Sequence, residues 1–301
     1  MSDSRVVRGA TPTRGRLGAV VGALRRTDLL LVLSATWVIV LGLSALFAPL
    51  LPLGEHEDVA ATMLDPTYLP PFTYADHPLG TNAYGLDMLA RVIYGARASL
   101  TISLLAVTIG LVVGGTIGVI AGFYRRRVDT VIGLFTNALL AVPPLILLIV
   151  LATVLEPKVR NMAFALALLT IPTMVRLARA NTIAYSQREF VLAARAIGAT
   201  RGRIMLRELV PNVLPPMLSM AVVVISGLIV AEASLSFLGL GIQPPSPTWG
   251  NMIAEAEAND TMSLHPFILL VPGTFLFLTV FSFNLLGERA QQRWDPRGAK
   301  L

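Results

Sequence analysis

Few side chains in this 301-residue chain are suited to catalysis. The histidines are His56, His77 and His265, and there is no cysteine. Without cysteine, thiol catalysis, disulfides, Cys-ligated zinc and iron–sulfur clusters are excluded. A phosphate-cradling loop needs a run of the form G-x-x-x-x-G-K-[ST]. Neither Pro157-Lys158 nor Ala299-Lys300 fits it, so the chain is not by itself a P-loop ATPase. Ser44, in Gly42-Leu43-Ser44-Ala45, resembles the nucleophile of an intramembrane protease, but a serine needs a base within hydrogen-bond reach. All three histidines fall in polar connections or at the edge of an apolar run, and small residues that let helices approach explain the segment better. Glu55-His56-Glu57-Asp58 reads as a solvated acidic loop, because consecutive residues rarely converge on one ion. Glu232 is different. It lies inside an apolar run, Val230-Ala231-Glu232-Ala233-Ser234. A carboxylate at membrane depth is costly and faces the protein interior or a water-filled cavity. It could touch a transported solute or serve as a hydrogen-bonding post, and the residue pattern leaves both open.

The elements that would position such a group are membrane spans. The chain is 54% hydrophobic and 14% charged, against roughly 25% charged in soluble domains. Its apolar residues gather into six runs, at 29–51, 99–121, 130–155, 162–174, 214–238 and 266–286. Most reach the roughly 20 residues a helix needs to cross the hydrocarbon. The run 162–174 is short and holds Pro172, so it either extends to Ala178 and Ala180 or is re-entrant. The first run is too long for a cleaved signal and reads as an anchor. The fold class expected is all-α and polytopic, with six transmembrane helices. A cytosolic tail (1–28), a first span (29–51), an outer loop (52–98), a five-helix core (99–287) and a cytosolic tail (288–301) follow from these limits.

Charge gives the orientation. Six arginines lie in the N-terminal tail, three at 125–127, seven in the connection between the fourth and fifth runs, and four basic residues in the C-terminal tail. Only Arg91, Arg97, Lys158 and Arg160 fall on the opposite side. Cytosolic loops are the ones enriched in Lys and Arg, so both termini are cytosolic. The net charge of +6 is thus dispersed over membrane-flanking loops. That excludes the concentrated basic face expected of a nucleic-acid binder.

Three further features stand out. Gly110, Gly114, Gly118 and Gly122 recur every four residues, which lays a side-chain-free stripe along one helix face. The stripe is either tight packing or a moving contact. Pro143-Pro144 in the third run predicts a kink. The cytosolic connection, about 180–213, is too long to be a mere turn. Its stretch 188–200 carries Glu189, Ala193, Ala194, Arg195, Gly198 and Ala199, with Arg201 beyond, and Gly198 is placed to end a helix in a left-handed cap. A shallow surface flanked by arginines would suit a docking knob for another protein, or an amphipathic helix resting on the membrane.

At this point a resemblance becomes specific. Ala193-Ala194, Gly198 and Pro211 resemble the E-A-A-x-x-x-G-x9-I-x-L-P loop of ABC importer permeases. The block from Glu232-Ala233-Ser234 through Gln243-Pro244-Pro245 to Trp249-Gly250 is similar to the peptide permease subfamily. So are Asn284-Leu285-Leu286-Gly287 with Asp295-Pro296-Arg297, and His77-Pro78-Leu79-Gly80-Thr81-Asn82 followed by Gly85-Leu86-Asp87 and Ile93-Tyr94-Gly95-Ala96-Arg97. The blocks cover about residues 25–300 and resemble the C-type permease subunit of dipeptide/oligopeptide ABC importers (DppC/OppC-like). The chain departs from the pattern at Leu192, Glu208, Asn82 and Leu86.

The resemblance implies a type I ABC importer permease fold in a bacterial or archaeal cytoplasmic membrane, and a non-catalytic subunit. It implies a second, homologous B-type permease subunit, one or two cytosolic ATPase subunits that carry ATP and Mg, an external solute-binding protein, and no cofactor in this chain. The 188–202 loop would seat in the ATPase. Importers of nickel chelates and glutathione share these blocks. A channel or secondary transporter working without ATP, or a membrane scaffold, would need no such loop.

Overall fold

The computed structural model describes residues 14–257 and 261–294. Arg5 and Arg8 of the N-terminal tail, Asp260, and Asp295-Pro296-Arg297 with Lys300 lie outside the described residues.

Among the described residues, five helices are long and apolar enough to cross a membrane, and a bent pair makes a sixth span. The first, α1 (Arg14–Leu46), carries the apolar stretch Leu29–Leu46. The next begins well before the apolar run at 99–121. It comprises α2 (Met88–Ile109), a π-helical turn (Gly110–Gly114) and α3 (Gly115–Tyr124) in one continuous path. Hydropathy places its start too late because Arg91 and Arg97 interrupt the apolar pattern. The buried carboxylate of Asp87 caps α2 by accepting from the backbone of Ala90 at 2.7 Å, which satisfies one of the donors a helix start leaves open.

The third run is not one rod. It divides into α4 (Arg126–Ala141) and α5 (Pro144–Val154), set 86° apart at Pro143-Pro144. Proline removes a backbone donor and disfavours helix in the residue before it, so two in succession break the ladder. The doubtful fourth run is an uninterrupted helix, α6 (Val159–Tyr185), with Pro172 inside it. The cytosolic connection forms α7 (Glu189–Ala196), the single turn α8 (Arg201–Arg203) and a second π-helical turn (Ile204–Leu209). That turn runs straight into α9 (Val210–Phe237). On the outer side lie α10 (Trp249–Glu257) and the single turn α11 (Thr261–Leu264), before α12 (Phe267–Trp294) returns to the cytosol.

The bundle is organised around two helix pairs. The α2–α3 rod packs along α6, and α12 packs along α9 and α1. Polar cross-links fasten the second group. The Trp37 indole donates to Thr279 at 3.1 Å, and Ser226 donates to Asn284 at 3.0 Å. A Cβ on Gly287 would lie 2.8 Å from the backbone nitrogen of Val223, so the 284–287 block is where α12 meets α9.

Candidate functional site

The cytosolic knob is built from the end of α6 onward. Arg125 reaches across from the α3–α4 junction and donates to the hydroxyl of Ser186 at 3.0 Å, which ties the turn after α6 to the turn after α3. Helix α7 has Glu189 in its first turn and Arg195 in its last, complementing the helix dipole at both ends. Gly198 then takes φ +81°. Its N–H bonds to the Arg195 carbonyl and the Ala199 N–H reaches back to Ala194, both at 3.0 Å, completing a Schellman cap. Any L side chain at Gly198 would be strained, and nothing lies within 4 Å of where its Cβ would point.

The underside of the knob is apolar. Val191, Ala194, Ile204 and Leu209 are buried together, with Phe123, Tyr185 and Ala199 against them. Of the sequence-selected residues, Glu189, Ala193, Arg195, Gly198 and Arg201 therefore remain outward, while Ala194 faces inward and Ala199 is half-buried. The outward surface also includes two residues the motif did not single out, Ile197 at 83% exposure and Leu192 at 52%. Helical spacing carried the signal: Val191 and Ala194 share one face, which turns Leu192 and Ala193 away from it. The departure from the family pattern at Leu192 thus places an apolar side chain on the outward face.

Within the membrane, the four glycines all face α6. A Cβ would lie 2.6 Å from the Ile171 carbonyl at Gly114, 2.5 Å from that of Val175 at Gly118 and 2.8 Å from that of Arg179 at Gly122, while at Gly110 it would meet Thr170. The stripe is a backbone-to-backbone contact, as small residues on a membrane helix permit. In the same C-terminal half of α6, Arg179 forms a bidentate pair with Asp129 of α4, and Arg176 donates to Asn137 at 2.9 Å.

Glu232 is completely buried. Its carboxylate accepts from Ser99 of α2 at 2.6 Å and from Ser236, one turn further along α9, at 2.7 Å. Thr248 lies on it from the outer loop. Every hydrogen-bond partner of this carboxylate among the described residues is a hydroxyl of the chain itself.

The outer face is a cap. Trp249 is fully buried and donates to the Val92 carbonyl at 3.1 Å, pinning α10 to α2. Asn82 folds its own turn, accepting at 3.0 Å from the backbones of Tyr84 and Leu86, and its amide donates to Glu255 at 2.6 Å. Leu86 is fully buried, so both outer departures from the family pattern sit inside the cap. Glu55 accepts from the backbones of His56, Glu57 and Asp58 at 2.9–3.0 Å. The acidic tetrapeptide is thus a turn knitted by its first residue, and no group of three or more potential metal ligands occurs among the described residues. Between this cap and the end of α9 lies a cavity of about 630 Å³, with Tyr84, Arg91, Gln243, Asn251 and Glu255 in its wall. Arg91 could not be read from the sequence as anything but an outer-loop charge.

Residues 114–300 match the family described as "Binding-protein-dependent transport system inner membrane component". The dipeptide transport system permease protein DppC of Alkalihalophilus pseudofirmus is 35% identical over 255 residues, 85% of this chain and 82% of that protein. The di/tripeptide transport system permease protein DppC of Pseudomonas aeruginosa is 36% identical, over 84% and 83% of the two chains. The glutathione transport system permease protein GsiD of Pectobacterium atrosepticum is 35% identical, over 73% of each. In fold, the chain resembles the inward-facing MetNI methionine ABC transporter, with a TM-score of 0.57 over 69% of this chain and 97% of that one, at 18% identity. The multi-pass helical bundle, its apolar spans and these relationships together show that the chain belongs to the inner-membrane permease components of binding-protein-dependent transport systems, among the DppC/OppC-like permeases and with the type I importer fold.

Proposed function

We propose that this chain is one of two non-identical permease subunits of an ATP-driven importer of di- or oligopeptides in a bacterial or archaeal cytoplasmic membrane. A B-type permease subunit completes the pathway, an external solute-binding protein delivers the substrate over the 52–98 and 243–265 segments, and one or two cytosolic ATPase subunits hold ATP and Mg. This chain supplies no catalytic group. The observation that carries the reading is the knob at 188–202, a short helix with a buried apolar underside and an outward surface of Leu192, Ala193, Ile197 and Gly198 between arginines. Glu189, Ala193, Arg195, Gly198 and Arg201 contact the ATPase. Ala194 and Ala199 brace the knob from beneath. ATPase closure moves the knob, and the helices joined to it follow as rigid bodies, exchanging inward for outward access.

Relatives named for dipeptide transport support the peptide substrate. Relatives named for glutathione transport support glutathione as the second reading. The test is Gly198→Arg together with Ile197→Asp, which leaves the cap intact. Both variants are expected to insert normally, to lose uptake and to lose substrate-stimulated ATP hydrolysis in the assembled importer. Normal uptake and stimulation in both would overturn the docking assignment. Identifying the ligand on the cognate binding protein decides between peptides and glutathione.

A further inference from the structure

The cavity beneath the outer cap combines an apolar wall with two opposite charges. Its volume, about 630 Å³, is typical of small-molecule sites, which are mostly apolar with a few convergent polar groups. Val59, Leu86, Phe237, Ile242, Pro244 and Pro245 supply apolar surface, and Arg91 and Glu255 are the charged residues of the wall. The amides there are committed to their own loop. Gln243 donates to the carbonyls of Gly239 and Gly241, and Asn251 to those of Ile242 and Ser246.

Arg91 is incompletely answered by the chain. Its side chain is 3% exposed, and residues of this chain alone bury it, so neither a membrane nor another subunit is needed to do so. Nη2 donates to Glu255 at 2.8 Å, while Nε is buried with no acceptor among the described residues. Buried polar groups are almost always hydrogen-bonded, and one that is not asks for an explanation. Glu255, for its part, does not depend on Arg91 for its position. The Asn82 amide donates to its other oxygen at 2.6 Å.

The cavity also lies where an incoming solute would pass. Val59, Tyr84, Leu86 and Arg91 come from the 52–98 segment, and Gln243, Pro244, Asn251 and Glu255 from the 243–265 segment. Between them it reaches Ser236 and Phe237 at the outer end of α9, one turn beyond the buried Glu232.

We propose that this cavity receives the transported peptide, with the C-terminal carboxylate on Arg91 and the N-terminal ammonium on Glu255. The proposal rests on the reading of the chain as a peptide importer subunit, and adds to it a place and a selectivity. The peptide carboxylate takes over the guanidinium, whose planar fork suits a two-oxygen acceptor. Glu255, held by Asn82, then accepts from the ammonium. Two opposite charges select a zwitterion. A lone carboxylate, whether acetate or an acidic side chain of a neighbouring subunit, would meet Glu255 as a like charge, which disfavours it. The peptide side chains fall against the apolar wall.

The test uses the importer reconstituted with its associated subunits but without the solute-binding protein, and dialanine as the probe. The chain has no cysteine. Ala254→Cys therefore puts its one thiol in the cavity wall, and alkylation is read from the intact mass of this chain. Dialanine is expected to slow alkylation about tenfold when present at roughly ten times its dissociation constant. Dialanine amide and N-acetyl-dialanine each lack one charge and should bind about 10-fold more weakly or worse. Arg91→Met should weaken protection by about 10- to 100-fold. Arg91→Lys, which keeps the charge without the fork, should restore only part of it.

Four results overturn the site. They are no protection by dialanine, equal protection by acetate, equal protection by either blocked peptide, and undiminished protection in Arg91→Met. Acetate protection would make the cavity a seat for any carboxylate, a partner's acidic side chain included. The comparison among ligands needs only Ala254→Cys, so it holds even where an Arg91 variant fails to fold. Uptake of dialanine and of glutathione, with the binding protein added, is measured separately. Dialanine uptake without protection overturns the site and leaves the importer reading standing. Dialanine protection with uptake of glutathione alone supports the site and overturns the di- or oligopeptide substrate.

Discussion

The guanidinium of Arg91, in the first turn of α2, donates to the carboxylate of Glu255 on α10 at 2.8 Å across 164 residues of sequence. The two partners are not equivalent. Arg91 is 3% exposed and its Nε has no partner among the described residues, whereas Glu255 is 22% exposed and also receives the Asn82 amide. Removing the buried charge's partner leaves an uncompensated guanidinium, and breaking a buried pair in this way costs about 3–5 kcal/mol. Removing the arginine leaves a carboxylate that water reaches. Glu255→Gln is therefore expected to lower the unfolding temperature in detergent more than Arg91→Met does. The reverse order would show that the bond the guanidinium of Arg91 makes to the cap outweighs the cost of leaving its charge uncompensated.

Glu232 has a different balance, because hydroxyls rather than a cation satisfy it. Glu232→Ala strands the hydroxyls of Ser99 and Ser236 in the interior, at about 1–3 kcal/mol for each group left unpaired. Glu232→Gln keeps an acceptor oxygen in place. A post therefore gives a folded glutamine variant with uptake retained and an alanine variant impaired in both stability and uptake. Loss of uptake in a stable Glu232→Gln protein would place its charge on the transport path.

The glycine stripe offers a matched comparison. Gly114→Ala drives a methyl to 2.6 Å from the Ile171 carbonyl, so α2–α3 and α6 must separate. Overpacking of this kind costs about 1–3 kcal/mol. At Gly227 nothing lies within 4 Å, and alanine there should raise helix stability by about 0.5–1 kcal/mol. Opposite shifts in unfolding temperature are the expected outcome; equal shifts would mean the α6 contact yields without cost.

Acid should loosen the outer turn at 55–58. The His56 ring stacks on Tyr94 of α2 with centroids 3.6 Å apart, and burial holds its pKa below the usual 6.5. Hydrogen bonds from the Asp58 and Glu57 backbones hold the Glu55 carboxyl below its usual 4.5. Both shifts have the same sign. The opened turn takes up protons more readily, so the His56 contribution is present above pH 6.5 and fades as pH falls through that value. The Glu55 contribution is lost only below 4.5. Amide protection at 55–58 should fall between pH 7.5 and 5.5, and His56→Phe, which keeps the stack, should remove that step. A step that survives the substitution would assign it to another group.

The legible parts of this protein were those encoded locally. Hydropathy marked six apolar runs, Pro143-Pro144 marked the break between α4 and α5, and Gly198 marked the end of α7. Every feature that joined distant residues was hidden. The four-residue glycine repeat announced a close approach but not that α6 was the neighbour. Arg91 looked like an outer-loop charge because Glu255 is far along the chain, and for that reason the start of α2 was placed eleven residues late, at 99 instead of Met88. Glu232 was found by its position in an apolar run, while its partners needed the fold. At the knob, family motif and helical geometry selected different residues. The motif singled out Ala194, which packs inward, and passed over Ile197, which is among the most exposed apolar residues of the chain.

The bond between Ser99 and Glu232 also constrains how the protein is made. Its two ends are 133 residues apart, so at about 5–20 residues per second the ribosome needs on the order of 10 s to deliver the second after the first. Throughout that interval α2 is already synthesised with the Ser99 hydroxyl unanswered. When α9 follows, its carboxylate enters a nonpolar phase before Thr248 and the α10 cap have emerged. The last hydroxyl, that of Thr248, therefore reaches Glu232 only after every span but α12 has been made, so the cap closes late in the assembly of the bundle.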